Sequence, residues 1–298
     1  MSFHNGEIAV QTKVGVRSEA ERLSGGIRNF INPAAEKFLP TQQLAIASSV
    51  DVEGRVWASL LLGEPGFVRV LNEKTAQVHP SFPINDLLYS NLQNNSQVGL
   101  LVIDLTNRRR LRLNGKAQVE RKGIINLEIQ QVFFNCPKYI QVRHLETSTT
   151  ESPSQSQILT KTALSNSDRD WISQADTFFI ASFNPESGAD ASHRGGNRGF
   201  VQLMNNNKLI FPDYAGNNMF QTFGNFVKNP NSGILFVDFE RGHTLQLTGK
   251  SQVIWDANNL SEFSGAERLV EFDIQQVLEI RHATPWCWKF GEYSPVNP

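Results

Sequence analysis

The sequence predicts a mainly β protein of the α+β class, built from two tandem small barrels. Three observations lead there. The chain contains the same unit twice, each unit reads as short strands with few helical stretches, and one polar stretch separates the units.

The repeat fixes the architecture. An offset of 134 residues takes Asn91 to Asn225, Gly99 to Gly233 and Asp104 to Asp238. Without a gap it then takes Leu111, Leu113, Gly115, Lys116, Gln118 and Val119 to Leu245, Leu247, Gly249, Lys250, Gln252 and Val253. Upstream, an offset of 133 takes Ala58-Ser59 to Ala191-Ser192 and Gly66-Phe67-Val68 to Gly199-Phe200-Val201. Downstream, Ile129-Gln130-Gln131-Val132 recurs as Ile274-Gln275-Gln276-Val277. The expected organisation is a lead-in and first barrel over 1–145, a linker over 146–168 and a second barrel over 169–298. The linker assignment rests on residues 147–157, a polar stretch without an apolar cluster that reads as flexible chain or a surface excursion. The second copy carries extra residues around 256–265.

Within each copy the strands follow in order. Residues 44–48 and 178–182 are short apolar runs ending at turn residues. Residues 66–71 and 199–204 lead into turns at Asn72 and at Asn205-Asn206-Asn207, each followed by another short strand. Residues 99–104 and 233–238 have the unbroken apolar pattern of buried strands, whereas Leu111-x-Leu113 and Leu245-x-Leu247 alternate with polar residues and read as half exposed. Helical spacing is confined to 18–30, 86–94 and 218–227. Many short strands with few helices argue for small barrels over a doubly wound sheet. Two similar barrels in one chain dock about a pseudo-two-fold axis as identical subunits do, and the cleft between them is a natural ligand site.

Composition removes several function classes. A chain of 298 residues with 40% hydrophobic and 19% charged residues reads as a folded, soluble, two-domain protein. Its 28 basic and 29 acidic residues cancel, so no overall field favours nucleic acid or a membrane surface. The first residues have neither a basic nor an apolar leader, and no apolar run approaches the roughly 20 residues of a membrane span, so the expected compartment is the cytoplasm. Cys136 and Cys287 lack a CxxC spacing and read as idle thiols. Six scattered histidines show neither HxH nor HExxH, so no metal site is expected, and no GxSxG elbow suggests a covalent nucleophile. His4, Glu7 and Gln11 form a polar cluster without an assigned purpose.

The chemistry concentrates in residues 188–201, where Ser192, His193, Arg194 and Arg198 are interleaved with glycines. Glycines let backbone N–H groups approach an anion, and arginine offers a planar fork to phosphate. A Gly-rich hairpin with solvated arginines is the competing explanation, and the P-loop pattern is missing. In the first copy Leu60 and Leu61 stand where the second has His193 and Arg194, so a single anion site is expected, centred on the second copy. Asn217-Asn218 is expected to open a helix whose N–H groups favour phosphate, with Tyr214, Phe220 and Phe223 able to flank a flat ring. An Asn cap over an aromatic core explains the same residues. Arg108, Arg110 and Arg112 share one strand face, either solvated or lending positive charge to the cleft. Nothing RNP-like accompanies them.

These motifs carry a resemblance. The run Ala189-Asp190-Ala191-Ser192-His193-Arg194-Gly195-Gly196, with Gly199-Phe200-Val201, Pro212-Asp213-Tyr214, Gly216-Asn217, Gly224-Asn225 and Leu245-x-Leu247-x-Gly249, resembles the FMN-binding split barrels related to pyridoxamine 5'-phosphate oxidase. Trp57-Ala58-Ser59, Gly63-Glu64-Pro65-Gly66-Phe67, Arg108-Arg109-Arg110 and Cys136-Pro137-Lys138-Tyr139-Ile140 resemble the first copy of tandem members, and Phe3-His4-x-Gly6-Glu7 with Gln11 resembles their lead-in. The resemblance covers most of the chain apart from the linker. It implies two tandem FMN-binding split β-barrels with the flavin in the cleft, along Ser192, His193, Arg194 and Gly195 and beside Phe211 and Pro212. Asn217 and Asn218 fall where the oxidase has a basic pair on the phosphate, so Arg194, Arg198 or an arginine of 108–112 has to replace that charge. Five residues before the barrel glycine, Arg110 and Thr244 occupy the position that touches flavin in the oxidase, so the resemblance implies a flavin contact there. Tyr214 and Asn225 complete the expected cofactor set.

The C-terminal Pro285-Trp286-Cys287-Trp288-Lys289 lacks the Arg-rich ending that grips pyridoxal phosphate in the oxidase, which speaks against that substrate. The resemblance implies an FMN-dependent oxidoreductase of unnamed substrate, served by NAD(P)H or a reductase partner, in a monomer with an internal pseudo-dimer or in a homodimer. His193 is its candidate for moving a proton, although a structural role is the commoner one for such a residue. A non-catalytic flavin or electron-transfer module and a haem-binding barrel, with His193 or His243 as ligand, are the alternatives.

Overall fold

The computed structural model describes residues 3–81, 86–146 and 156–298. In the first copy, β1 (Leu44–Val50), β2 (Val56–Leu62), β3 (Val68–Asn72), β4 (Thr75–Val78), β5 (Gln97–Asp104), β6 (Arg109–Val119) and β7 (Ile125–Asn135) make one antiparallel sheet in the order β2-β1-β5-β6-β7-β4-β3. After β8 (Arg143–Glu146) and β9 (Gln157–Lys161), the second copy contributes β10 (Thr177–Asn184), β11 (Gly188–Gly195), β12 (Gln202–Asn205), β13 (Lys208–Tyr214), β14 (Asn231–Asp238), β15 (His243–Ile254) and β16 (Ala266–Arg281). Their order, β11-β10-β14-β15-β16-β13-β12, repeats the first sheet strand for strand, with β9 added beside β16. The last strand, β17 (Cys287–Phe290), pairs with β8 and so ties the end of the second copy to the end of the first. The protein is mainly β, two tandem split barrels.

The repeated Leu-x-Leu-x-Gly has a steric cause. The ladder slips by one residue at Asn114/Gly115 and again at Thr248/Gly249, the same place in each copy. At each bulge a Cβ on the glycine would collide with a carbonyl oxygen of the neighbouring strand, Glu128 or Asp273, so only glycine fits.

Strand alternation divides the core. Leu100 and Val102 fill the first barrel, and Ile234 and Phe236 the second. Their neighbours Leu101, Ile103, Leu235 and Val237 point the other way, into a third cluster between the barrels with Ile46, Phe179, Ala191, Trp286 and Trp288. These strands are buried on both faces, which explains their unbroken apolar runs.

The same geometry corrects the expectation of half-exposed strands at 111–113 and 245–247. Arg112, Asn114, Gln246 and Thr248 are buried, because the polar face of each strand meets the other copy and not water.

Helices depart further from expectation. The expected 18–30 shrinks to α2 (Arg17–Ser24), ended at Gly25-Gly26. Before it, α1 (Asn5–Val14) is capped by His4 and Glu7 in a reciprocal box. Also unforeseen are α3 (Pro33–Phe38) and α5 (Asn166–Gln174), whereas α4 (Leu88–Asn94) and α6 (Gln221–Lys228) occupy two expected stretches. Of the stretch read as linker, 147–155 lies outside the described residues, while β9 and the start of α5 are regular. Lys161 of β9 reaches both Asp168 of α5 and Glu279 of β16, anchoring that strand. No helix among the described residues is long and apolar enough to cross a membrane.

Candidate functional site

The cleft forms where β11, at the edge of its sheet, lies against β6 of the other copy. Alternation puts Asp190, Ser192 and Arg194 on one face of β11. Facing them, Arg112 donates through Nη1 to both Asp190 oxygens (3.0 and 2.8 Å) and to Gln221 Oε1 (3.1 Å), and through Nη2 to Ser192 Oγ (2.8 Å). Asn114 Nδ2 adds a bond to Asp190 Oδ1 at 3.0 Å. Arg112 is 7% and Asp190 3% exposed, so neither charge has water as an alternative partner.

Arg194 Nη1 donates to Asp213 Oδ1 at 2.6 Å, with its guanidinium over the Phe223 ring. Arg268 pairs with the other Asp213 oxygen and with Glu267, over the Phe220 ring. Arg110 differs. Its Nε donates to the Cys136 carbonyl (2.9 Å) and its Nη1 to His193 Nδ1 (3.1 Å) and O (3.3 Å), and it has no carboxylate partner among the described residues. Burial and the neighbouring guanidiniums of Arg112 and Arg194 lower the Arg110 pKa to about 9. Burial and the cations Arg110, Arg143 and Arg194 push His193 well below the ordinary imidazole value.

The mouth is aromatic. Tyr139 and Tyr214 pack at 5.2 Å, and Tyr139 Oη and Lys138 Nζ both donate to the Ala215 carbonyl. Burial pushes the Tyr214 hydroxyl up to about 12, so it stays a neutral donor. The cleft is open to solvent and holds about 100 Å³ within its walls, below the roughly 300 Å³ of an ordinary small-molecule pocket. Four buried polar atoms of lining residues have no partner: Arg112 Nε, His193 Nε2, Arg194 Nε and Asn135 Oδ1.

Most sequence-nominated residues meet here: Ser192, His193, Arg194, Gly195 and Arg110 on the two strands, and Pro212, Tyr214, Asn217 and Asn218 around the mouth. Phe220 and Phe223 line it too. Asn217-Asn218 does not open the helix, however. Asn218 and Phe220 are left-handed (φ 59° and 57°), Asn217 Oδ1 accepts from Met219 N, and α6 begins at Gln221. The first-turn N–H groups belong to Gln221, Thr222 and Phe223, which line the cleft.

Three residues of the expected cofactor set lie elsewhere. Phe211 is core, 4.9 Å from the Phe178 ring. Asn225 bonds Ser182 Oγ and His4 Nε2, holding α6 to β10 and to the N-terminal segment. Its repeat partner Asn91 likewise bonds Ser49, so this pair marks a helix anchor. Thr244 lies at the corresponding junction of the two copies, where β15 packs against β2. Arg198 opens onto a separate surface depression beside Trp171 and Trp288, and Arg108 is held by the Ile140 and Tyr293 carbonyls and by Glu292. Nor does His243 reach the cleft, since its Nδ1 accepts from the His282 N–H.

At that junction Ser59, Thr244, Gln246 and Thr248 stand where the main site has Ser192, Arg110, Arg112 and Asn114. Thr244, Gln246 and Thr248 each carry a buried oxygen without a partner, while Asp86 is hydrogen-bonded by Ser59 and accepts from Gln246 Nε2 at 2.7 Å. The sequence reading missed the carboxylates Asp190 and Asp213 as members of the main site. The alternation of Asp190 with Ser192 and Arg194 was the available signal. It also missed Gln221 and Asn135, which carried none, and Tyr139, whose signal was the Cys136–Ile140 motif.

The family model described as Pyridoxamine 5'-phosphate oxidase matches residues 31–133 and 165–281, one segment in each copy. Among solved structures, the chain is similar to HupZ from Group A Streptococcus, with 13% identity over 37% of this chain and 89% of that one and a TM-score of 0.31. It is similar to a Clostridium acetobutylicum protein related to a general stress protein of Bacillus subtilis, with 10% identity over 42% and 92% and a TM-score of 0.30. It is also similar to the FAD binding protein of Mycobacterium smegmatis, with 16% identity over 41% and 98% and a TM-score of 0.29. No curated protein matches the chain.

Proposed function

Because the chain belongs to the pyridoxamine 5'-phosphate oxidase family, we propose that it holds a flavin nucleotide, FMN, in the cleft between β6 and β11 and works as an FMN-dependent oxidoreductase. The observation that carries this reading is the set of unpartnered buried atoms lining the cleft: three nitrogens, on Arg112, His193 and Arg194, and one oxygen, on Asn135. Left empty-handed, each such group costs about 1–3 kcal/mol. A ring edge bearing carbonyls and one N–H, as flavin has, complements donors and an acceptor together.

For the phosphate, Arg110 and Lys138 are the cleft cations without a carboxylate partner among the described residues, and the first turn of α6 adds backbone N–H groups. Bound flavin would supply the hydride and electron chemistry. The protein's residues would orient the ring, exclude water and hold the phosphate. NAD(P)H or a partner reductase would deliver electrons, and the expected setting is the cytoplasm.

The haem alternative is disfavoured by hydrogen bonding. His193 Nδ1 is engaged by Arg110, and His243 stands outside the cleft. Titrating the purified protein with FMN, following absorbance and fluorescence, tests the reading. Saturable micromolar binding is expected, and an unchanged flavin spectrum at hundredfold higher FMN would sink it. Bleaching of the bound flavin by NAD(P)H or a reductase separates the oxidoreductase from a non-catalytic flavin module.

A further inference from the structure

Arginine cannot accept a hydrogen bond. The 3.1 Å contact between Arg110 Nη1 and His193 Nδ1 therefore makes Nδ1 the acceptor. A neutral imidazole then carries its proton on Nε2, the atom that is buried and has no partner. The surroundings keep it neutral, because the charged groups acting on His193 are the cations Arg110, Arg143 and Arg194. The remaining contacts are apolar or rigid. The Phe179 ring stands edge-on at 5.7 Å, and a Cβ on Gly195 would lie 3.0 Å from His193 Cε1, so the ring sits in a fitted slot.

We infer that Arg110 of the first copy is a positioning residue for His193 of the second, fixing the imidazole as its Nε2–H form so that His193 donates to a carbonyl or ring-nitrogen acceptor of the ligand and does not shuttle protons. The junction of β2 with β15 supports the pairing. There Thr244 replaces Arg110 and Leu60 replaces His193, so the two partners are present together or absent together. The identity of the acceptor rests on the flavin reading, but the protonation state does not.

The test begins on the flavin-free protein labelled with ¹⁵N-histidine, using long-range ¹H–¹⁵N correlation spectra. His193 is expected in the Nε2–H form with unchanged shifts from pH 5 to 7.5, the range in which Arg110 keeps its charge. An Nδ1–H form, or a midpoint near the ordinary value, would overturn the inference. In Arg110→Met the imidazole is expected to populate both tautomers, and a purely Nε2–H imidazole there would show that Arg110 does not set it. For the ligand side, His193→Gln keeps an N–H donor that cannot titrate, whereas His193→Leu supplies the first copy's residue. FMN affinity is expected to stay within about threefold for Gln and to fall about tenfold for Leu. Equal losses in both would refute the donor role. If the unaltered protein binds no FMN, the flavin reading fails while the NMR result still decides the tautomer.

Discussion

Gly99 of the first copy and Asp190 of the second touch backbone to backbone, and a Cβ on Gly99 would lie 2.6 Å from the Asp190 nitrogen. The relationship is reciprocal, since a Cβ on Gly233 would lie 2.6 Å from the Val56 oxygen and 2.9 Å from Trp57 Cα. Backbone cannot swing aside as a long side chain can. Gly99→Ala and Gly233→Ala should therefore each cost about 1–3 kcal/mol or more by overpacking, read as a lower urea midpoint. Full stability in both would mean that the barrels do not meet as described.

Asp190 should matter for stability before it matters for chemistry. Removing it leaves Arg112 buried and charged without a counterion, a loss of about 3–5 kcal/mol. Asp190→Ala should lower the urea midpoint strongly and Asp190→Asn less. A variant with unchanged unfolding would show that water reaches Arg112.

Asp213 holds Arg194 and Arg268 at once, and so competes with any anion entering the cleft. Asp213→Asn should tighten binding of FMN or inorganic phosphate about tenfold, while Arg110→Gln should weaken it by a similar factor. Titration at fixed ionic strength checks both. Weaker binding in Asp213→Asn would assign the carboxylate to holding the ligand.

Glu7 gives a pH dependence. Burial against α6 raises its pKa from 4.5 to about 7, opposed by the His4 N–H bond, raised further by Asp190 and lowered by Arg112 and Arg17. A carboxyl that keeps its proton longer when folded stabilises the docked helix fully below about pH 4.5. That contribution is lost as pH rises through about 7, at most about 3 kcal/mol. Hydrogen exchange over Asn5–Val14, corrected for intrinsic rates, should be faster at pH 8 than at pH 6, and Glu7→Gln should flatten the difference. Equal protection at the two pH values would contradict the shift.

One flavin per chain is the expected stoichiometry, because Thr244 and Gln246 replace two guanidiniums where β15 meets β2. Equilibrium dialysis finding two tight equivalents would reverse this.

The succession of strands along the chain was legible because the sequence states it twice; the order in which they pair was not. What could not be read was where the second face of each strand points. Leu111-Arg112-Leu113-Asn114 alternates as a solvated strand does, and only the docking of the other copy, through a partner 78 residues away, buries Arg112. Helix α1 was illegible for a related reason. Its buried face is Gly6, Glu7, Val10 and Gln11, so no apolar stripe announces it, and Gly6 is required by contact with the Gly224 carbonyl. Ser192, His193 and Arg194 stood out by chemistry. Asn225 stood out equally, but it repeats as Asn91 because both copies need a helix anchor.

The pairing of β8 with β17 bears on how such a molecule can change. In an assembly of identical subunits every substitution is made twice, so an arginine introduced at one interface arrives at its twin and must be tolerated there. Joining both halves in one polypeptide, and closing the join with a strand from each end, removes that obligation. Position 110 can carry a guanidinium while 244 carries a hydroxyl, and each interface can be selected by itself.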